Sequence, residues 1–338
     1  MSDLQRSFAK AKLAGLPFEP PLPPNLLEEE EEEDEFDDLK PLPESNQDDD
    51  SSSASSASSA SSTGTIRPSP SVLSLDARGH GETVVEALGP HSGNEIMDLS
   101  LEVLSKDLLE VIQMTQRELA WLELPGLILI GHSLGGAVVT NLAISGNLGN
   151  AVLGYAVLDV VEGSAIDALQ SMQSYLSTRP KTFLSISSAI EWHTRSRTIR
   201  NTTSARISVP SLLRSEVAGS SDSHASQHSK IWTWRTDLAA TQPYWEGWFA
   251  GLSRKFLDAR GGKLLLLAGT DRLDKELMIG QMQGKYQLQV FPEAGHFIHE
   301  DQAEKTAMVV ADFYKRNDRS ALVLPPKVSD MLKAKTSI

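Results

Sequence analysis

The sequence predicts an α/β fold with a mostly parallel sheet, because strand-like and helix-like segments alternate from residue 71 onward. Residues 127–130 are continuously apolar, as expected for a strand covered on both faces of a parallel sheet. A run of small residues at 135–139 follows almost at once and is typical of a helix start packed closely on that strand. The chain of 338 residues is long enough for one large domain or two ordinary ones.

The remaining elements are predicted in chain order from apolar spacing. Residues 72–75 form a short strand signal, followed by a polar, glycine-rich turn at 76–81. Ser100 is placed to cap a helix whose apolar residues recur at helical spacing, namely Leu101, Leu104, Leu108 and Val111. Further strands are expected at 152–161, 263–268 and 286–291, and a closing helix at 303–315.

The chain is expected to divide into a tail, a two-part core and an insertion. Residues 1–70 are predicted to be a disordered acidic, proline- and serine-rich tail, because they offer too little apolar surface to offset the entropy of ordering. The core occupies 71–161 and 263–320, followed by a second tail at 321–338. Between them, residues 162–262 lack strong strand signals and hold five of the six tryptophans. We expect a mostly helical cap there, whose tryptophans join it to the body or line a substrate groove.

Composition excludes several classes of function. The absence of cysteine rules out disulfide scaffolds, cysteine catalysis and Cys-ligated metal sites. Residues 1–70 carry 5 Lys/Arg against 16 Asp/Glu, or −11 of the total charge of −14. The near-neutral remainder lacks the clustered basic face that nucleic-acid binding needs. The uncharged stretch 124–158 is interrupted by Pro, Asn and Gly, which favours a buried strand–helix–strand over a membrane span. With no signal-peptide pattern, we expect a soluble, non-secreted protein.

The segment Gly131-His132-Ser133-Leu134-Gly135 matches G-x-S-x-G between a predicted strand and a predicted helix. In this context the motif is a nucleophile elbow, a sharp turn that exposes a serine hydroxyl above the sheet, as in the α/β-hydrolase fold. We therefore predict Ser133 as the nucleophile. The backbone N–H of Leu134, at the helix start, is predicted to donate to an oxyanion.

A serine nucleophile needs a base and an acid that orients the base. His296 follows the last predicted strand after two small residues, which is where a hydrolase of this kind carries its base. The acid is Asp159 or Asp271, both after strands and both in the chain order Ser, Asp, His; position alone does not choose. The other histidines are expected elsewhere: His80 at the pocket floor, His132 in packing, His299 facing away, His91 in a loop, and His193, His224 and His228 exposed in the cap.

Several segments outside the elbow are specific enough to compare with known families. They are residues 75–83 and 158–163, the cap segments 179–183, 199–201 and 244–249, and residues 267–274 and 279–285. Together with the elbow they resemble the protein phosphatase methylesterase family over most of residues 72–305. The resemblance implies a catalytic triad of Ser133, Asp159 and His296, with Asp271 left structural, and no metal or organic cofactor.

The same resemblance implies what the enzyme acts on. Members of the family remove the methyl ester from the C-terminal leucine of the catalytic subunit of type 2A protein phosphatases, so this subunit is the expected partner. A cytoplasmic or nuclear location is expected with it. The cap arginines Arg195, Arg197, Arg200 and Arg206 are candidates for meeting an acidic surface of the phosphatase.

The chain departs from the family pattern before residue 72. The family has about three strands there, with a His-Gly-Gly-Gly-like turn among them, whereas here the serine-rich tail runs directly into residues 72–75. We interpret this as a deletion of the N-terminal strands and the oxyanion loop. The missing turn supplies a second oxyanion donor, typically worth about 10²–10³ in turnover. The sheet is also expected to lose a neighbour at one edge.

Three functions therefore remain open at the level of sequence. The first is a serine carboxylesterase that demethylates the phosphatase. The second is a catalytically impaired, hydrolase-like protein that binds the phosphatase without turning it over. The third is a small-molecule esterase or lipase of the same fold, which the charged, tryptophan-rich cap does not favour.

Overall fold

A computed structural model describes residues 71–85, 97–217, 230–269 and 273–318. The predicted tails at 1–70 and 321–338 lie outside the described residues. So do Asp271, His91, His224 and His228.

The described residues contain alternating strands and helices, as expected for an α/β protein. The strands are β1 (Leu127–His132), β2 (Val152–Leu158), β3 (Thr182–Phe183), β4 (Leu213–Val217), β5 (Lys230–Trp234), β6 (Gly262–Leu267) and β7 (Gln287–Val290). The helices are α1 (Leu101–Glu118), α2 (Leu134–Ser145), α3 (Glu162–Thr178), α4 (Ile186–Arg195), α5 (Thr202–Ser208), α6 (Trp245–Phe249), α7 (Leu252–Asp258), α8 (Lys275–Met282), α9 (Ile298–Asp301) and α10 (Ala303–Asn317). Short 3₁₀ turns lie at Gly149–Ala151, Val209–Leu212 and Leu238–Tyr244.

The main sheet consists of four parallel strands in the order β1-β2-β6-β7. These are the strands predicted around 127–130, 152–161, 263–268 and 286–291, and the fold class is confirmed. Because the strands run in parallel, their carboxyl ends meet at one edge of the sheet. That edge carries Ser133 after β1, Asp159 after β2 and, beyond β7, the loop with His296.

Side chains alternate between two cores, one on each face of the sheet. Tyr155 and Val157 pack with residues of α1, α2, α6 and α7. Ala156 and Leu158 pack on the opposite face, with Phe313 of α10 and the start of α9. Burial on both faces accounts for the continuous apolar runs of β2 and β6. Helix α1 begins where expected, because the Ser100 hydroxyl accepts a hydrogen bond from the Val103 N–H at 3.4 Å.

The predicted strand at 72–75 is wrong. Residues 71–75 belong to a separate unit, Glu19–Leu75, of which no other residue is described, and they form no strand. Val72 is 95 % exposed. A strand is stabilised by backbone hydrogen bonds to a neighbour rather than by its own sequence, so four apolar residues do not specify one alone. The turn that follows is present, with the His80 N–H bonded to the Ala77 carbonyl at 2.9 Å.

The insertion at 162–262 is helical, as expected, but it also contains a three-stranded antiparallel sheet in the order β3-β5-β4. These strands were not predicted, because segments of only two to five residues give too short a pattern in the sequence. Trp192, Trp232 and Trp234 pack around a small core within the insertion. Trp245 and Trp248 instead join the core on the main sheet. The predicted domain boundaries stay a prediction.

No helix among the described residues is long and apolar enough to cross a membrane.

Candidate active site

Ser133 lies in a strained turn between β1 and α2. Its backbone has φ 52° and ψ −120°, a conformation that residues with a Cβ adopt rarely and at a cost of about 1–3 kcal/mol. The Ser133 N–H donates to the carbonyl of Leu158 at 3.0 Å, which ties the turn to the end of the neighbouring strand. Strain of this kind lifts a serine side chain out of the sheet, as the elbow motif predicts.

The glycines around Ser133 allow the strand and the helix to approach closely. A Cβ at Gly131 would lie 2.0 Å from the carbonyl oxygen of Gly135, so this position admits no side chain. A Cβ at Gly136 would lie 2.9 Å from methyl groups of Val157 and Val160. At Gly135, the second glycine of the motif, a Cβ would meet nothing within 4 Å. The close approach therefore depends on Gly131 and Gly136.

Leu134 is the first residue of α2. The first N–H groups of a helix have no partner inside that helix, and the helix dipole adds a partial positive charge at this end. An oxyanion formed beside Ser133 would face both these free N–H groups and the partial positive charge of the helix end. The predicted role of the Leu134 N–H is consistent with this position and remains a prediction.

Asp159 occupies the turn after β2 and is buried, with 2 % exposure. Its N–H donates to the Leu266 carbonyl at 2.7 Å, and its Oδ1 accepts from the Ala268 N–H at 2.9 Å. Its Oδ2 accepts from Nδ1 of His296 at 3.0 Å. The carboxylate is thus fixed to the end of β6 through one oxygen and orients the imidazole through the other.

His296 lies in the loop between β7 and α9, and its side chain is 40 % exposed. With Nδ1 bonded to Asp159, the ring has one orientation and one tautomer, and Nε2 is left as the proton acceptor. This is the arrangement that a general base next to a serine requires. The structure therefore brings Asp159 and His296 together at the sheet edge that carries Ser133.

Comparison with known proteins places the chain in a family. A model described as the alpha/beta hydrolase family matches residues 58–309. Protein phosphatase methylesterase 1 of Aspergillus fumigatus is 67 % identical over 266 residues, which cover 79 % of this chain and 61 % of that protein. The Schizosaccharomyces pombe protein of the same name is 49 % identical over 256 residues, covering 76 % of this chain and 68 % of that protein. The chain belongs to the protein phosphatase methylesterase family.

This methylesterase-family chain spans only part of its relatives. It covers 61 % of the length of the proteins from Aspergillus fumigatus and Aspergillus oryzae. Among solved structures, E-2-(acetamidomethylene)succinate hydrolase superposes with a TM-score of 0.52 at 20 % identity, covering 71 % of this chain and 80 % of that chain. That likeness concerns the fold alone.

Two histidines in this methylesterase-family chain lie where the sequence analysis did not place them. The prediction that His193 is exposed in the cap is wrong: it is 3 % exposed, bonded through Nδ1 to the Ala189 carbonyl at 2.8 Å and packed edge-on against Trp234. His193 faces inward because helix α4 turns its apolar face, including Ala189, toward the cap core. Burial lowers its pKa below the usual histidine value.

The prediction that His299 faces away from the site is also wrong, because its ring centroid lies 4.6 Å from that of His132. His132 in turn lies 4.6 Å from His296. Burial is the main cause that lowers the pKa of both His132 and His299, and their positions beside His296 add to it. Because His296 precedes helix α9 (Ile298–Asp301), helical spacing gave no signal for this approach, and the sequence showed only that the two histidines are three residues apart. His80 has its Nδ1 3.1 Å from the Arg78 carbonyl, and its predicted role at the pocket floor remains a prediction.

A buried carboxylate joins the cap to the loop that carries His296. Asp301, whose side chain is 1 % exposed, accepts hydrogen bonds from the N–H groups of Gly295 at 2.6 Å and Arg200 at 2.7 Å. The Arg200 guanidinium lies 3.9 Å from the same carboxylate and donates to the Glu293 carbonyl at 2.5 Å. The Arg200 side chain is therefore engaged with the loop that carries His296, and its predicted contact with the phosphatase stays a prediction. No local sequence pattern indicates this contact.

Among the described residues, no group of three or more His, Asp, Glu or Cys side chains has the arrangement needed to hold a metal ion.

Proposed function

We propose that this chain is a serine carboxylesterase that removes the methyl ester from the C-terminal leucine of the type 2A protein phosphatase catalytic subunit. The observation that supports it best is the 3.0 Å bond between His296 Nδ1 and buried Asp159, at the sheet edge that carries strained Ser133. Membership of the methylesterase family adds the substrate, since the relatives are named protein phosphatase methylesterase 1.

In the acylation step, Ser133 Oγ attacks the carbonyl carbon of the methyl ester while Nε2 of His296 takes the hydroxyl proton. Asp159 stabilises the resulting imidazolium, and the Leu134 N–H binds the oxyanion. When the tetrahedral intermediate collapses, the bond between the carbonyl carbon and the methoxy oxygen breaks. His296 returns its proton to the leaving oxygen, which departs as methanol, and the leucyl carbonyl remains on Ser133.

In the deacylation step, water attacks the leucyl ester on Ser133. His296 takes a proton from that water and gives it to Ser133 Oγ when the acyl bond breaks. The products are the free carboxylate, a released proton and the original serine. Apart from the substrate and this water, the reacting groups of each step are side chains and backbone groups of this chain.

The phosphatase subunit is the proposed partner, and exposed cap arginines are the proposed contacts. Arg195 is 78 % exposed and forms an ion pair with Glu191 at 3.0 Å. Because water screens this pair, it is weak, and an acidic group of a partner protein can replace Glu191. Arg206 is also exposed on helix α5. The proposal includes a cytoplasmic or nuclear location, which imaging of a fluorescently tagged chain would test.

The direct test is methanol release from a peptide methyl ester that carries the phosphatase C-terminus. We expect release by the chain and none by the Ser133→Ala variant. The Aspergillus fumigatus relative serves as a positive control. If the relative releases methanol and this chain does not, the esterase proposal fails for this chain.

The same experiment separates the second candidate function. The chain has no His-Gly-Gly-Gly run, so a form that binds without turnover is the specific alternative. Pull-down of the methylated phosphatase without methanol release would support that alternative. Faster cleavage of short acyl esters than of the methylated peptide would instead support a small-molecule esterase.

A further inference from the structure

His132 is a polar residue of the elbow for which the proposed mechanism has no use. Its Nε2 lies 2.7 Å from the main-chain carbonyl oxygen of His296. A carbonyl oxygen only accepts, so Nε2 carries the hydrogen and donates it. The bond joins the residue next to the nucleophile to the residue that acts as base, 164 positions apart in the chain.

The His132 ring is also packed among the side chains of the base loop. Its centroid lies 4.6 Å from His296, 4.6 Å from His299 and 5.2 Å from Phe297. We call these four residues the imidazole cluster. His132 comes from the end of β1 and the other three from the loop and helix after β7, so the cluster connects the two segments that must meet for catalysis.

The charge state of His132 fits a holding role. Burial, followed by the neighbouring imidazoles of His296 and His299, keeps the pKa of His132 well below the usual histidine value. His132 is therefore neutral at physiological pH, with its hydrogen on Nε2. A second imidazolium at this place would oppose proton uptake by His296, whereas a neutral donor fixes the backbone of His296 without adding charge.

We propose that His132 is a positioning residue that holds the backbone of His296 at a fixed distance from Ser133 through its Nε2–H bond to the His296 carbonyl. Asp159 fixes the ring of His296 from one side, and His132 fixes its backbone from another. This inference rests on the proposed function only in that His296 is taken as the base for Ser133. Misplacement of a catalytic group by about 1 Å can cost about 100-fold in rate.

The test compares two substitutions that separate the hydrogen bond from the ring. His132→Phe keeps the aromatic packing and removes the donor, whereas His132→Gln removes the ring and can place an amide N–H where Nε2 lies. The matched control is His193→Phe, which loses a similar bond, 2.8 Å to the Ala189 carbonyl, within helix α4 of the cap rather than between β1 and the loop that carries His296.

The first measurement is the labelling of Ser133 by a fluorophosphonate probe, which needs the base but not the methyl ester. We expect the limiting labelling rate of His132→Phe to fall about 10- to 100-fold with little change in probe affinity. We expect His132→Gln to stay within about threefold of the unsubstituted chain, and His193→Phe to label at the unsubstituted rate. The second measurement is the downfield NMR resonance of the His296 Nδ1–H in its bond to Asp159, which should persist in His132→Gln and broaden or disappear in His132→Phe.

The proposal would be overturned if His132→Phe were labelled at the rate of the unsubstituted chain and its His296 Nδ1–H resonance were unchanged. Equal losses in His132→Phe and His132→Gln would overturn it too, because the donor would then not be the feature that matters. If His132→Phe does not fold, the rate and resonance of His132→Gln decide. If the unsubstituted chain does not react with the fluorophosphonate probe, the proposed function fails. The His296 Nδ1–H resonance in the two variants then still decides whether His132 positions His296.

Discussion

Replacing Asp159 by Asn removes the charge from the site while leaving its shape almost unchanged. The two carboxylate oxygens accept from two different donors, Nδ1 of His296 at 3.0 Å and the N–H of Ala268 at 2.9 Å. An amide has one accepting and one donating atom, so it satisfies only one of the two donors. If its NH₂ faced Ala268, two buried donors would oppose each other at a cost of about 1–3 kcal/mol.

The favoured orientation of the introduced amide therefore places its NH₂ against His296. Nδ1 must then accept, so the hydrogen moves to Nε2, and the ring is unable to take a proton from Ser133. In a serine triad the wrong tautomer lowers kcat by about 10⁴, equivalent to about 5 kcal/mol in the activation free energy. Because Asp159 is buried, with 2 % exposure, KM should stay within about threefold.

The assay is methanol release from the phosphatase peptide methyl ester, with fluorophosphonate labelling of Ser133 as a second reading. Asp271→Asn is the matched control, because Asp271 is the other carboxylate that chain order permits. We expect this control to keep kcat within about threefold. The reasoning is refuted if Asp159→Asn stays within tenfold of the unsubstituted chain, or if Asp271→Asn loses as much activity as Asp159→Asn.

Three further predictions follow from strain, buried histidine and buried charge. Ser133→Gly should be about 1 kcal/mol more stable than Ser133→Ala in urea unfolding, because only glycine relieves the φ of 52°; equal stabilities would contradict the strain. The pKa of buried His193 is lowered, so the unfolded chain binds the proton first as pH falls below about 6.5, and stability present above that pH is lost. Unfolding measured at pH 7.5 and 5.5 should show a loss of stability that His193→Phe reduces, since buried His132 and His299 supply the remainder, and an unchanged loss in that variant would contradict it. Asp301→Asn should cost about 2–4 kcal/mol and slow turnover, since the Gly295 N–H and Arg200 lose a buried anion; unchanged unfolding and turnover would contradict it.

The sequence predicts best those features that depend on local pattern. The strands β1, β2, β6 and β7 are apolar runs because both sheet faces are covered, and that pattern is visible without coordinates. The elbow could be located because its glycines are required by local geometry. At Gly131 above all, a side chain would clash with the helix that follows. Residues 72–75 have a similar apolar run and form no strand, because a strand depends on a neighbour that its own sequence does not contain.

Features that depend on long-range contacts were not predictable. The bond from His132 to His296 and the contacts of Asp301 with Arg200 join residues about 100 or more positions apart. Nothing in the local spacing of these residues distinguishes them from surface polar groups. The Asp159–His296 pair was found only because the hydrolase chain order and a family resemblance supplied the long-range information that local sequence lacks.

The two halves of the proposed chemistry depend on different parts of the chain. The loop that carries His296 is held from three directions: by Asp159 at its ring, by His132 at its backbone and by Asp301 through Gly295. All of these groups, which make up the acid–base half, lie within residues 132–301. The oxyanion half has the Leu134 N–H but no His-Gly-Gly-Gly turn. We therefore expect Ser133 to react with a fluorophosphonate, while methanol release is about 10²–10³ slower than that of the Aspergillus fumigatus relative. Equal methanol release by the two proteins would show that another backbone group of this chain supplies the second donor.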